Sequence, residues 1–159
     1  MKQIKKILAT TDLSDLARHG LRIAFETARD RSAEVIIYHV ISYEDGEFPV
    51  HHGAEEWVQT AGADEQLKEL IDDRRHKLEQ YLNESFPHAL SNLKIRLEVE
   101  VGLPDKMIVE KAAAEAVDLI VMSTHGRSGL RRFLIGSVTE KVLRQAACPV
   151  LSVPPSENS

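Results

Sequence analysis

Five short runs of β-branched and aliphatic residues alternate along this chain with segments whose apolar residues recur at helical spacing, and this alternation constrains the fold more than any other feature. Lys6 to Thr10 reads as a first strand, and Glu34 to Ile41, rich in Val and Ile, as a second. In the third, Ile95, Leu97, Val99 and Val101 alternate with Arg96, Glu98 and Glu100. That period of two predicts a strand exposed on one face, at or near a sheet edge. Asp118 to Ser123 is apolar enough for a buried parallel strand, and Val150 to Val153 is a fifth strand opened by Pro149. Between them lie four helical patterns. Ser14 caps a face of Leu16, Gly20, Ile23, Ala24 and Ala28; Leu67 to Leu82 form a stripe within residues 64–85. Pro104 opens a helix running through Ile108, Ala112 and Ala116, and Val138, Val142 and Leu143 follow Gly136-Ser137. Strand, helix, strand, helix throughout predicts an α/β fold, a parallel sheet with helices on both faces.

Open sheets of this kind bind ligands outside the carboxyl ends of their strands, where the winding reverses. Two strands end in small polar residues, the first at Thr10-Thr11-Asp12 and the fourth at Ser123 to Gly126. They are expected to be neighbours at the reversal, with a site between their tips. The fourth strand leads into a glycine-bearing loop and then a helix. Gly126 and Gly129 let backbone N–H groups approach an anion, and Gly136-Ser137 sits at a helix start, where open N–H groups favour phosphate. Arg127, Arg131, Arg132, Lys141 and Arg144 surround this loop, with Glu140 the one nearby acid. A corner-turning loop in which Ser137 is only an N-cap fits the same residues. Neither Gly-x-x-x-x-Gly-Lys-Ser/Thr nor Gly-x-Gly-x-x-Gly occurs, so this is neither a P-loop nor the dinucleotide fingerprint.

Composition narrows the class. A chain of 159 residues with 43% apolar and 28% charged residues suits one packed domain, read here as 1–153 with a tail at 154–159. No apolar run approaches the roughly 18 residues of a membrane span. One cysteine, Cys148, forms no internal disulfide and fits a reducing cytoplasm; between Ala147 and Pro149 it reads as a small buried hydrophobe. The net charge of −5 is local: residues 32–67 hold eight acids and no Lys or Arg, leaving 20 basic against 17 acidic residues elsewhere. Aromatics at 5% and the lack of an interleaved basic stripe speak against nucleic acid.

Taken together, Asp118 to Leu130, Gly136 to Leu143, Cys148-Pro149-Val150, Thr11-Asp12-Leu13-Ser14, His39-Val40 and Gly102-Leu103-Pro104 resemble the universal stress protein (UspA-like) family from residue 4 to about 153. The resemblance implies a Rossmann-like five-stranded domain, similar to adenine nucleotide alpha hydrolases, that is usually a homodimer and has a nucleotide-binding and a non-binding branch. The binding branch resembles Gly-x-x-Gly, nine residues, then Gly with Ser or Thr. Here Gly126, residues 127–135 and Gly136-Ser137 match, while Ser123 stands in place of the first glycine. Its Cβ is expected to crowd a ribose or phosphate.

By the same resemblance, Gly126, Arg127, Gly136, Ser137 and Val138 would hold phosphates, with Gly129 and Thr139 counted among the cofactor-binding residues; His125 beside the loop would touch phosphate or, equally, orient the loop through its backbone. Asp12, Met122 and Ser123 would lie near the ribose and α-phosphate. Thr10, Thr11 and the backbone of Val40 would frame adenine. The implied ligand is ATP, or AMP or ADP, with Mg²⁺ or Mn²⁺ as a companion through Asp12. Asp12 serves equally as a turn residue capping the first helix. The implied partners are an adenine nucleotide, a second copy paired through Val150 to Val153, and a downstream protein that the sequence does not name.

Other features carry less. His51-His52 with Glu47, Glu55 and Glu56 lack a metal-ligand spacing, and Trp57 lies in the same loop, expected as a long connection over 42–63. His39 reads as structural. Ser128 and Ser137 have no His–Asp arrangement in the pattern, so the site is expected to hold a nucleotide without consuming it. A dimeric interaction module with a spoiled pocket and a slow ATPase working through Asp12 stand as alternatives.

Overall fold

The computed structural model describes residues 3–43, 63–89, 91–124 and 135–155. Ile7, Leu8 and Ala9 are wholly buried, and their strand, β1 (Lys6–Thr10), forms the centre of the sheet. It is followed by α1 (Ala17–Arg31), β2 (Glu34–Ser42), α2 (Ala63–Ser85), β3 (Ile95–Gly102), α3 (Pro104–Ala114), β4 (Leu119–Ser123), α4 (Ser137–Gln145) and β5 (Val150–Val153). All pairings are parallel, in the order β3-β2-β1-β4-β5. The chain therefore winds outward from β1 to β3, then returns to the other side of β1. The register of Ile7 with Leu119 and Ala9 with Val121 makes β1 and β4 direct neighbours, as their small polar ends led us to expect.

Side chains of a strand alternate between faces, so a doubly covered sheet needs two apolar sets. On one face Ile7, Ala9, Val35, Ile37 and Val121 pack with Leu21, Ala24, Phe25 and Ala28 of α1 and Leu78 and Leu82 of α2. On the other, Leu8, Ile36, Tyr38, Ile120 and Met122 meet Ile108 and Ala112 of α3 and Val142 of α4. Cys148 is half-buried against this second cluster. Burying each large aliphatic side chain contributes about 1.5–3 kcal/mol.

β3 is an edge strand, as its alternation predicts. Its polar face does not simply meet solvent. Lys111 of α3 bonds Glu98 at 2.6 Å and pairs with Glu100, while Arg96 reaches Glu115 at 2.7 Å and Glu98 at 3.2 Å. Burial draws the Lys111 ammonium down, but its hydrogen bonds to Glu100 and Glu98 outweigh this and leave it above its usual range. Arg96 holds the Glu115 carboxyl below its usual range.

Three boundaries differ from the sequence reading. α1 begins at Ala17, with Ser14 acting from outside: its Oγ and its carbonyl both accept from the Ala17 N–H, at 3.3 and 3.2 Å. α3 stops at Ala114, since Ala116 is left-handed (φ 49°) and the Val117 N–H turns back to the Ala112 carbonyl. Asp118 precedes β4 and accepts the Lys5 and Lys6 N–H groups at 2.9 and 3.1 Å, bracing the start of β1. At the other terminus, the Pro154 carbonyl lies 2.9 Å from His19 Nδ1. Most of the connection at 42–63, including His51, His52 and Trp57, and the tail beyond 155 lie outside the described residues.

Candidate functional site

β2 and β3 run further than β1. β1 ends at Thr10, opposite Tyr38, whereas β2 stays paired with β3 as far as Ser42 opposite Gly102. In a parallel pair the backbone groups of alternate residues face the same neighbour. Glu34 donates its N–H to Lys5 and the Tyr38 carbonyl accepts from Thr11 at 3.1 Å, so even-numbered residues of β2 face β1. Continued by two residues, that alternation turns the N–H and C=O of Val40 toward the space left where β1 has ended.

The chain leaving β1 is held by a dense set of short bonds. Thr11 Oγ1 accepts the Leu13 N–H at 3.0 Å. The Asp12 carboxylate accepts the Ser14 N–H at 3.0 Å and the Ser14 hydroxyl at 2.5 Å. Leu13 sits at φ 65°, the left-handed conformation this turn imposes. Asp12 is thus a turn residue through one carboxylate oxygen, bound to Ser14 ahead of α1, whose N-cap Leu16 has no side-chain cap bond. Buried His39 lies with Nδ1 2.8 Å from the Thr11 carbonyl, which accepts, so Nδ1 carries the proton. Nε2 is then the acceptor for Arg74 of α2, at 3.3 Å. Tyr81 of α2 donates to the Ser14 carbonyl at 2.8 Å, and burial raises its phenol above the usual range. The His39 reading as structural holds: it and α2 fix the strand tip from behind.

β4 delivers the opposite wall. The Ser123 carbonyl accepts from the Thr139 hydroxyl at 2.9 Å, and the Thr124 carbonyl from the Gly136 N–H at 2.7 Å. These two bonds seat the start of α4 against the end of β4. A Cβ on Gly136 would lie 3.1 Å from the Thr124 oxygen, a tight contact that glycine avoids. No side chain caps α4, and its first closing bond is Glu140 N–H to Gly136 C=O. The N–H groups of Ser137, Val138 and Thr139 are therefore the open donors of a helix start, at the positive end of its dipole.

Between these walls lies a cavity of about 590 Å³, within the range of small-molecule sites. The structure brings Thr10, Thr11, Asp12, Val40, Met122, Ser123, Gly136, Ser137, Val138 and Thr139 together around it. The remaining candidates, His125, Gly126, Arg127 and Gly129, lie outside the described residues. Sequence reasoning missed the third side of the cavity, Leu103, Pro104, Asp105 and Lys106 at the start of α3. The signal was present: in a parallel sheet every strand end opens on the same edge, and Gly102-Leu103-Pro104 ends β3. Lys141 also lines it, 3.8 Å from Asp105.

Strand alternation places the Ser123 side chain with Val121 on the α1 face, and its Oγ donates to the Leu16 carbonyl at 3.3 Å. The hydroxyl is thus engaged with the carbonyl that precedes α1. Among the described residues no group of three or more His, Cys, Asp or Glu is placed to hold a metal ion, and no helix is long and apolar enough to cross a membrane.

Comparison with known proteins agrees with this fold. The profile of the Universal stress protein family matches residues 3–154. Universal stress protein MJ0577 of Methanocaldococcus jannaschii is 34% identical over 160 residues, covering 94% of each chain. Universal stress protein MJ0531 of the same organism is 35% identical over 149 residues, covering 94% of this chain and 81% of its own. The solved structure of MJ0577 superposes with a TM-score of 0.77 at 30% identity, over 98% of this chain and 99% of the other. A universal stress protein solved in complex with cAMP shares the fold at a TM-score of 0.62 and 22% identity, over 96% of this chain and 98% of its own.

Proposed function

The chain belongs to the universal stress protein family, and on that premise we propose that it binds an adenine nucleotide, ATP or AMP, and acts as a dimeric nucleotide-sensing module of the stress response. One observation carries the reading: the backbone edge of Val40 and the open N–H groups of α4 face the same cavity from opposite ends. A strand-end amide and carbonyl suit the edge of an adenine ring. Three uncapped helix N–H groups suit a phosphate, with Lys141 one turn further on adding positive charge. In this reading Thr10 and Thr11 frame the base, Asp12 accepts a ribose hydroxyl, and His125, Gly126, Arg127 and Gly129 complete the phosphate loop. A Mg²⁺ or Mn²⁺ ion arriving with a triphosphate keeps most of its ligands as water and phosphate oxygens, with Asp12 the candidate carboxylate.

The nucleotide is held and not turned over. His39, the imidazole among the described lining residues, has its two ring nitrogens committed to Thr11 and Arg74. The dimer forms along β5, an edge strand that pairs with β4 among the described residues. Leu151 on it is 38% exposed and Leu143 of α4 41%, apolar surface that a second copy would cover.

Two measurements test this. Titration of a fluorescent ATP analogue with Mg²⁺, with AMP and cAMP as competitors, is expected to saturate at one site per chain. Asp12→Ala should weaken it about tenfold, or 1.4 kcal/mol. No binding, no thermal shift with ATP and no nucleotide released from the freshly purified protein would together overturn the reading. Light scattering that returns a monomer at micromolar concentration would overturn the dimer.

A further inference from the structure

Ser123 lines the cavity, yet its hydroxyl is directed at the Leu16 carbonyl on the α1 side of the sheet. What allows this is Gly20. A Cβ built on Gly20 would lie 3.0 Å from Ser123 Oγ and 3.5 Å from the Ser123 backbone nitrogen. The first contact is tight, so the hydroxyl must give by a few tenths of an ångström, while the second is ordinary van der Waals contact. Gly20 is the fourth residue of α1 and buried, at a position where glycine is a poorer helix former than alanine. Close approach of helix to strand is a physical reason for it to be there.

We propose that Gly20 is a positioning residue of the nucleotide cavity. By leaving room for the Ser123 hydroxyl on the Leu16 carbonyl, it keeps the end of β4 clear for the ligand. The two positions act as a pair, although Gly20 touches no ligand itself. A methyl group at position 20 presses on the hydroxyl, which must give by a few tenths of an ångström from an acceptor already 3.3 Å away. The other staggered rotamers carry Oγ off α1, and the alternative, a shift of α1, pulls on the Asp12–Ser14 turn through the Ser14–Ala17 bonds. Either movement narrows or distorts the cavity where a ribose or α-phosphate would lie. This inference rests on the nucleotide reading above.

The test is a double-mutant cycle on the full chain, with Gly20→Ala, Ser123→Gly and the two combined, measured without ligand by thermal unfolding and with the fluorescent ATP analogue. Gly20→Ala is expected to bind about tenfold more weakly, or 1.4 kcal/mol. Adding Ser123→Gly removes the clashing atoms and should restore binding to within about twofold of wild type, although it restores no hydrogen bond. Melting of the same four proteins should be non-additive in the same sense. Unchanged affinity of Gly20→Ala, or a loss that Ser123→Gly fails to rescue, overturns the pairing. A wild-type protein that binds no analogue overturns the nucleotide reading instead, and the melting cycle then decides alone whether the steric pair exists.

Discussion

Thr139→Val removes one hydroxyl from the joint that seats α4 on β4. Thr139 is the third residue of α4 and only 3% exposed, and its Oγ1 gives the Ser123 carbonyl a hydrogen bond of 2.9 Å. Valine has almost the same shape, so no cavity opens and the loss is electrostatic. A hydrogen bond of this kind contributes about 1 kcal/mol net, and leaving its acceptor poorly solvated raises the cost toward 2. For a chain of this size each kcal/mol shifts the melting temperature by about 2–4 °C, so the expected fall is roughly 3–6 °C. Thr139→Ser keeps the hydroxyl and should recover most of that fall. Differential scanning calorimetry of the three proteins without ligand makes the comparison. If Thr139→Val melts within about 0.5 °C of wild type, or if Thr139→Ser falls as far, the bond does not hold the joint. Because the same joint presents the N–H groups of Ser137, Val138 and Thr139, the analogue titration should weaken in parallel.

Two further predictions concern the scaffold. Tyr38 is almost wholly buried, and burial, with its bond of 3.0 Å to Glu100, raises its phenol far above the ordinary 10.0. The neutral form is favoured in the folded state, so this contribution is complete below pH 10.0 and is lost as the pH rises from there toward the folded value. Urea unfolding between pH 9 and 11 should show stability falling by up to about 1.4 kcal/mol per pH unit from this group. In Tyr38→Phe that fall should be shallower, and an unchanged slope would sink the assignment. Leu78→Ala opens a hole between α2 and the sheet, at a fully buried position. It should cost about 2–5 kcal/mol by urea denaturation, and a loss below 1 would mean that α2 is not packed as described.

Residues 6–10, 34–41 and 119–123 announce strands because branched and aliphatic side chains there have no helical period, and both sheet faces demand apolar cover. The alternation at 95–101 announces an edge in the same way. Thr10, Thr11 and Asp12, with Ser123 and Gly136-Ser137, were legible as residues that meet around one cavity because small polar groups at the ends of buried strands have little structural reason to occur together. What the pattern did not reveal is which polar side chain faces which neighbour. Lys111 reaching over to Glu98 and Glu100 is invisible in a local window, since 13 residues separate the first pair.

The sequence by itself determined the class of fold, the reversal of winding between β1 and β4, and the edge of the sheet where the cavity opens. Local periodicity and short turns carry that information. Tertiary structure alone decided that α3 supplies a third wall, that His39 and Arg74 brace Thr11, and that the Ser123 hydroxyl lies against Leu16 beside Gly20. These depend on distances between elements more than 25 residues apart in the chain, set by how closely a helix can approach a strand. For Ser123 the difference is a single contact: its hydroxyl lies where a Cβ on Gly20 would press on it at 3.0 Å.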